Sequence, residues 1–224
     1  MPLFPLLEVF SDTAARSAAM NMALDEVFWQ SATTPRLRLY QWDHPALTFG
    51  YFGQYAEVAP YRSEREVVRR CTGGGMVFHG SDLTYALVIP ASELQSGQTS
   101  ISIYGVVHEA VQSALRNSGI PATLVSDTVP KPQLSLDSCF ANPVTADVLV
   151  NGQKVAGAAQ RRSRRGLLQQ GSIQNIRLPD DFGERFSQAL SAQVVAGHID
   201  RDLVDEARRL AEAKYQSESW LQRR

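Results

Sequence analysis

Thiols are scarce in this chain: two cysteines, Cys71 and Cys139, occur among 224 residues. Two do not make a disulfide framework, so a reducing compartment is the simpler expectation. Excess charge of either sign is also missing. With 22 Lys and Arg against 23 Asp and Glu, the net charge is −1, which gives no global attraction to nucleic acid or to an anionic membrane. No stretch approaches the ~18 uninterrupted apolar residues of a membrane span. Met1 to Phe10 is interrupted by proline and lacks the basic stretch and apolar run of a secretory leader, so the cytoplasm is the expected location. There is no His/Cys cluster at zinc spacing and no G-x-S-x-G elbow. Neither a metal nor a cofactor is expected. No repeat or low-complexity linker divides the chain, and its length suits one domain, 1–224.

What is present reads as strands in the middle and helices around them. Asp12 to Gln30 has Ala15, Ala19, Met22, Ala23 and Val27 at helical spacing, with Ser11 or Asp12 as the cap. Arg36 to Trp42 alternates with period two and reads as a strand with one wet face. Further strands are expected at Thr48–Phe52, Val67–Arg70, Met76–Phe78, Leu83–Ile89, Ala122–Ser126 and Leu167–Ile173. Helices are expected at Ser102–Asn117 and over the tail, Asp200–Leu221. The clearest local signal is Asn151-Gly152 between two apolar runs, because a tight primed turn needs positive φ at both positions. The class that follows is α+β, with a mixed, mostly antiparallel sheet flanked by helices.

Several residues can carry chemistry. Arg69-Arg70-Cys71-Thr72-Gly73-Gly74-Gly75 places three costly glycines beside two cations. Such a run either brings backbone N–H groups up to a ligand or makes a plain tight turn. Cys139 lies in a proline-rich loop, Val129 to Pro143, where a nucleophile and a structural thiol are both open readings. Lys154 follows the hairpin turn; alone it reads as a solvated lysine, but the run Val155-Ala156-Gly157-Ala158-Ala159-Gln160 after it leaves room against the sheet. His79 suits a hydrogen-bonded structural histidine at least as well as a chemical one. Arg161, Arg162, Arg164 and Arg165 form either a solvated turn or a receptor for an acidic carrier protein.

These pieces occur together and in order, and as a set they resemble a known family. Val68-Arg-Arg-Cys-Thr-Gly-Gly-Gly-Met-Val-Phe-His79, then Asp82-Leu-Thr-Tyr85, resembles the lipoate-binding signature of lipoate-protein ligases and their octanoyltransferase relatives. Gly152-Gln-Lys-Val-Ala-Gly-Ala-Ala-Gln160, then Leu168-Gln-Gln-Gly-Ser-Ile173, resembles the second signature, around an essential lysine. Asn21-Met-Ala-Leu-Asp25 looks like the first-helix motif. The resemblance implies the biotin/lipoyl protein ligase catalytic fold, which is class II aminoacyl-tRNA synthetase-like. It implies a site in which Cys139 and Lys154 are catalytic, and Arg69, Arg70, Gly73, Gly74, Gly75, His79, Gly157, Ala158 and Gln160 bind substrate.

Cys139 selects among the branches. Ligases adenylate a free acid with ATP and need no nucleophilic cysteine. One octanoyltransferase branch has a cysteine followed by an aromatic in the loop before the lysine hairpin, as in Ser138-Cys139-Phe140. The resemblance then implies transfer of octanoyl from octanoyl-acyl carrier protein, through an acyl-cysteine, to a lysine of a lipoyl carrier domain such as the glycine-cleavage H protein or a 2-oxoacid dehydrogenase E2. An amidotransferase between lipoyl carriers, an ATP-dependent lipoate ligase and a non-catalytic carrier-binding module are the alternatives. Two departures matter: Gln170 stands where relatives often have histidine, and Cys71 is a rival thiol beside the glycine run, ranked below Cys139.

Overall fold

The computed structural model describes residues 2–126 and 143–223. Its frame is an eight-stranded sheet in the order β11-β1-β2-β6-β10-β9-β8-β7. In chain order these are β1 (Phe4–Arg16), β2 (Arg36–Trp42), β6 (Leu83–Pro90), β7 (Ala122–Leu124), β8 (Val148–Val150), β9 (Gln153–Ser163), β10 (Gly166–Ile173) and β11 (Ser191–Ala196). β1 pairs parallel with both β11 and β2, and the remaining neighbours are antiparallel. The sheet is therefore mixed and mostly antiparallel, as the sequence suggests. A second sheet has three strands, β4 (Glu66–Arg69), β3 (Ala46–Phe49) and β5 (Val77–His79), in that order.

Strand alternation builds two cores. Leu37, Tyr85, Leu87, Leu167 and Ile173 face one side and pack under α3 (Ser100–Asn117) and α4 (Phe182–Leu190). Tyr40, Trp42, Ala86, Val88 and Leu168 face the other side, under α1 (Ala18–Ser31) and α5 (Arg201–Leu210). With both faces covered, all eight residues of β10 are buried. The predicted hairpin is present, with φ of 51° at Asn151 and 79° at Gly152. None of the helices is long and apolar enough to cross a membrane, among the described residues.

The first helix starts later than its periodicity predicts. Residues 4–16 are strand, and the cap is Ser17, whose Oγ accepts from Met20 N at 3.3 Å. Asp12 is held in the strand by charge: it accepts from Arg38 Nη2 at 2.7 Å and from Arg16 Nε at 2.9 Å. The first free N–H groups of α1 are met from outside, where Glu66 accepts from Ala18 N at 2.6 Å and Ala19 N at 3.0 Å. Arg38 explains the first-helix motif. Fully buried, it donates to Asp25 Oδ1 at 2.8 Å and Asn21 Oδ1 at 2.7 Å as well as to Asp12. Asn21 and Asp25 thus bolt α1 to β2; a buried guanidinium is tolerable only when its donors are met in this way.

The tail is not one helix. α5 ends at Leu210, a π turn covers Ala211–Tyr215, and α6 (Glu218–Leu221) restarts on the Ser217 cap. Lys214 and Tyr215 in the π turn both donate to Glu26 Oε2, at 2.6 and 2.5 Å. That contact holds the irregular turn against α1. α4 and β11 carried no expectation from the sequence, although Phe182, Phe186 and Leu190 at i, i+4 and i+8 form a helical apolar stripe.

One buried histidine gives a stability prediction. His108 on α3 is fully buried, and its Nδ1 donates to Ala146 O at 2.8 Å, whereas Nε2 has no partner among the described residues. Burial pushes its pKa down to about 4. Above pH 6.5 both native and unfolded states are neutral. Below it the unfolded chain takes a proton that the native state refuses, so stability is lost as pH falls from about 6.5 towards 4. At full extent that is about 3 kcal/mol. The thermal midpoint of the wild type should fall over this window, and that of His108→Phe should fall less.

Candidate active site

A cavity of about 180 Å³ opens where the small sheet and α1 fail to close over the second face of the large sheet. The large sheet supplies Tyr40, Trp42, Thr84, Gln170 and Ser172, the polar-tipped residues of that face, and α1 supplies Met22. The small sheet supplies Thr48, Val77 and His79, and the loop between β4 and β5 supplies Gly74 and Gly75. Lys154, Gly157, Ala158 and Ala159 on β9 close one wall, with Tyr104 of α3 and Val144. Two segments far apart in sequence, the glycine run and the lysine hairpin, therefore face one another across this space.

Lys154 is held, not solvated. Its side chain is 10% exposed, and Nζ lies 2.8 Å from Asp147 Oδ2. Asp147 is fully buried and accepts also from Tyr104 OH at 2.5 Å and Val144 N at 2.7 Å. Burial, then the Asp147 charge, pushes the Tyr104 hydroxyl far above its ordinary pKa, so it stays a donor. Tyr104 OH in turn accepts from Ala158 N at 3.2 Å. The lysine stem lies along its own strand over Gly157. A Cβ at Gly157 would come 2.6 Å from Lys154 Cε and 2.8 Å from Nζ. The sequence suggested that Gly157 leaves space for a substrate; the space is filled by the lysine itself.

The glycine loop is fixed from below. Arg70 donates through Nη2 to Gly73 O and Gly75 O, both at 2.9 Å, and through Nη1 to Thr48 Oγ1 at 2.7 Å. Gly74 sits at φ 81°, a conformation that favours glycine. Gly50 matters to the same loop, since a Cβ there would fall 1.9 Å from Gly74 O. Behind the loop, Thr72 Oγ1 donates to Gln170 Oε1, and Gln170 Nε2 donates to Asp25 Oδ2, each at 2.7 Å. Gln170 thus pins the loop to α1 and forms part of the cavity wall.

His79 proves to be a positioning element. Its Nδ1 lies 2.8 Å from Asp82 Oδ2 and its Nε2 2.9 Å from Thr48 Oγ1. The carboxylate can only accept, so Nδ1 carries the proton and the Thr48 hydroxyl donates to Nε2. Burial lowers the His79 pKa despite Asp82, and the ring stacks on Trp42 with centroids 4.0 Å apart. Burial alone would raise the Asp82 carboxyl, but donation from His79 Nδ1, Ser172 Oγ and Gly80 N holds it down to about 2. The chain Arg70–Thr48–His79–Asp82 is rigid and neutral at its imidazole.

The lipoyl protein ligase A/B catalytic domain model matches residues 17–196. The chain belongs to this family. Among its relatives, the octanoyltransferase LipM of Bacillus subtilis (strain 168) is 33% identical over 177 residues, which cover 73% of this chain and 64% of that protein. The LipM of Symbiobacterium thermophilum is 29% identical over 268 residues, covering 95% of this chain and 97% of that protein. The chain thus spans less than two thirds of the Bacillus relative. Two solved structures share the fold. A putative lipoate protein ligase from T. acidophilum with bound lipoic acid superposes with TM-score 0.74 at 22% identity, covering 98% of this chain and 99% of that one. A lipoate-protein ligase A bound with ATP gives 0.75 at 21%, covering 99% of both.

Set against the residues expected from the family signatures, the cavity gathers Arg70, Gly74, Gly75, His79, Lys154, Gly157 and Ala158. Three others lie elsewhere. Gly73 backs the loop, with its N–H donating to Gln160 O at 3.4 Å. The Gln160 side chain donates to Gln169 Oε1 at 2.6 Å and is not in the lining. Arg69, almost wholly buried, faces away, and donates to the carbonyls of Tyr51 and Gly53 and of Leu221 and Arg223 near the C-terminus. Cys139 lies outside the described residues. Cys71 is 2% exposed, outside the lining, and burial pushes its thiol up to about 11. That is the wrong direction for a nucleophile. Asp147 and Tyr104 went unnoticed in the sequence. The hairpin held a signal for the first, because the turn sets Leu149 opposite Lys154 and period two returns Asp147 to the same face.

Proposed function

We propose that this protein is an octanoyltransferase of protein lipoylation, which takes octanoyl from an acyl carrier protein and passes it to a lysine of a lipoyl carrier domain. The observation that carries this reading is Lys154, held by Asp147 at the wall of an apolar cavity opposite the glycine loop. The LipM relatives supply the choice of acyl group.

In this reading the Cys139 thiolate attacks the thioester carbonyl of octanoyl-acyl carrier protein. The carbon–sulfur bond to the carrier breaks, the carrier leaves as its thiolate, and a new thioester forms on Cys139. A neutral lysine amine of the lipoyl domain then attacks that thioester. It loses a proton, Cys139 departs as thiolate, and an amide remains. The first step is nearly balanced and the second is downhill, so no ATP is consumed. Covalent catalysis separates one encounter between two carriers into two. The Lys154 ammonium stabilises negative charge on Sγ and on the carbonyl oxygen. Met22, Val77, Ala158 and Ala159 offer apolar surface to the acyl chain. Val144, a short way along the chain from Cys139, reaches the same lining.

The test is the intact mass of the protein after mixing with octanoyl-acyl carrier protein in the absence of ATP. A single octanoyl adduct, cleaved by hydroxylamine and missing in Cys139→Ala, is the expected result. An adduct that forms only from an octanoylated lipoyl domain would instead make the protein an amidotransferase. Transfer that needs ATP and free lipoate would make it a ligase.

A further inference from the structure

Arg69 is one of the family-signature residues that the cavity does not use, and what it holds is informative. Its Nη1 donates to Tyr51 O at 2.9 Å and Gly53 O at 2.7 Å, the carbonyls on either side of Phe52. Gly53 N donates back to Gly50 O at 3.0 Å, closing a tight turn. A guanidinium only 1% exposed therefore fixes both flanks of a residue that is 86% exposed, the most exposed large apolar side chain among the described residues. The buried guanidinium is satisfied by these carbonyls together with those of Leu221 and Arg223, so the turn is fixed while the Phe52 ring itself stays unpacked. A fixed aromatic displayed to solvent is the form that a binding anchor takes.

The charge around the turn defines what would bind it. Arg161 and Arg223 lie over the Tyr51 ring, at 5.6 and 4.3 Å from its centroid, and Tyr51 meets Phe52 edge-on at 5.0 Å. Arg164 and Arg165 follow on the exposed β9–β10 turn, whereas Arg162 leaves β9 on the opposite face and donates to Gln98 O at 2.6 Å. Between Asp147 and Asp180 the chain has no carboxylate at all. Among the described residues, Arg161, Arg164, Arg165 and Arg223 take part in no salt bridge, whereas Arg36, Arg38, Arg62 and Arg185 each have a carboxylate partner. In a chain of net charge −1, Arg161 and Arg223 form a local positive patch beside one exposed phenyl ring, and Arg164 and Arg165 extend the basic run along the chain.

We propose that the Tyr51–Gly53 turn, with Phe52 as its apolar anchor and these arginines as its rim, docks an acidic acyl carrier protein. The inference rests on the octanoyltransferase reading for its choice of partner. Phe52 stands beside the glycine loop, since Gly50 abuts Gly74, but it is not in the cavity lining. A partner anchored there reaches the cavity with an extended arm and not with its own surface. That geometry suits a carrier that bears its acyl group on a long prosthetic arm.

The experiment is direct binding of acyl carrier protein to the full chain, by calorimetry or biolayer interferometry, at low and moderate salt. Phe52→Ala should weaken binding by ~10-fold or more, the scale of an interface anchor. Arg164→Glu combined with Arg165→Glu should also weaken it, and should flatten its salt dependence. The thermal midpoints of both variants should match the wild type, since neither site is buried. Equal binding by wild type and Phe52→Ala would overturn the proposal, as would a wild type that binds no acyl carrier protein while still capturing octanoyl from a carrier-free thioester. Phe52-dependent binding of a lipoyl domain alone would overturn the assignment of the surface to the donor. Failure of the octanoyltransferase reading is read separately, as absence of any octanoyl adduct from any donor.

Discussion

Lys154→Met is expected to lower octanoyl transfer by roughly 10²–10³-fold, the scale of removing one group that stabilises developing charge. Lys154→Arg is expected to do nearly as much damage. Arginine keeps the charge, but its planar guanidinium is larger than an ammonium, and the recess it must enter is defined by Asp147 Oδ2 at 2.8 Å and the bare Cα of Gly157. Gly157→Ala separates position from charge. The added Cβ would lie 2.6 Å from Lys154 Cε and 3.3 Å from Asp147 Oδ1, and the flexible lysine tip is the nearer of these groups. The chain should therefore fold with little loss of thermal midpoint while the ammonium is displaced from Asp147. Single-turnover acyl capture, followed by intact mass, is expected to fall by ~10-fold or more in Gly157→Ala. Full activity in Gly157→Ala would mean that the observed lysine rotamer has no part in the chemistry. Asp147→Asn should rank between Lys154→Met and Gly157→Ala, because it keeps the shape and one acceptor oxygen but loses the charge that orients Nζ.

Much of this arrangement was legible in the residues, for physical reasons that also mark where legibility ended. The Asn151-Gly152 turn declared its hairpin because few other residues accept those φ values. Arg36 to Trp42 declared a strand through period-two alternation, but the expected wet face is covered by α1 and both faces belong to cores. The glycine run and Lys154 were recognisable as a pair only through order and spacing, and the cavity they share is built by tertiary contact. Failures came where a long-range charge decided a local matter. Residues 12–16 have helical spacing but remain strand, because Arg38 claims Asp12. The tail has helical spacing but breaks into a π turn, because Lys214 and Tyr215 are drawn to Glu26. The two arginines of the signature look equivalent in sequence. Arg69 ends β4 and Arg70 follows it, and their side chains part, Arg70 tying the glycine loop and Arg69 the Phe52 turn and the carbonyls near the C-terminus. Period two makes adjacent residues part company in this way, so the pair encodes two functions of the same region.

Cys139→Ala is expected to abolish formation of the octanoyl adduct, whereas Cys71→Ala should leave it intact. The contrast rests on what is needed of a nucleophile. With its thiol pushed up to about 11, Cys71 would be ionised to about one part in 10⁴ at pH 7. It sits 2% exposed in the α1-side core among Trp29 and Tyr215, and the nearby Glu26 carboxylate opposes a second negative charge. No acyl donor reaches it without opening that core. Its replacement by alanine should cost about 1 kcal/mol of stability from lost packing, visible as a lowered thermal midpoint with unchanged adduct mass. Cys139 has the opposite position in the proposal: a chemical role, without which the lysine, the glycine loop and the cavity have no acyl group to hold. Adduct formation by Cys139→Ala together with loss of it in Cys71→Ala would reverse the assignment. It would also require the core around Trp29 to open on the time scale of catalysis, and hydrogen exchange at the buried positions of α1 would detect that directly.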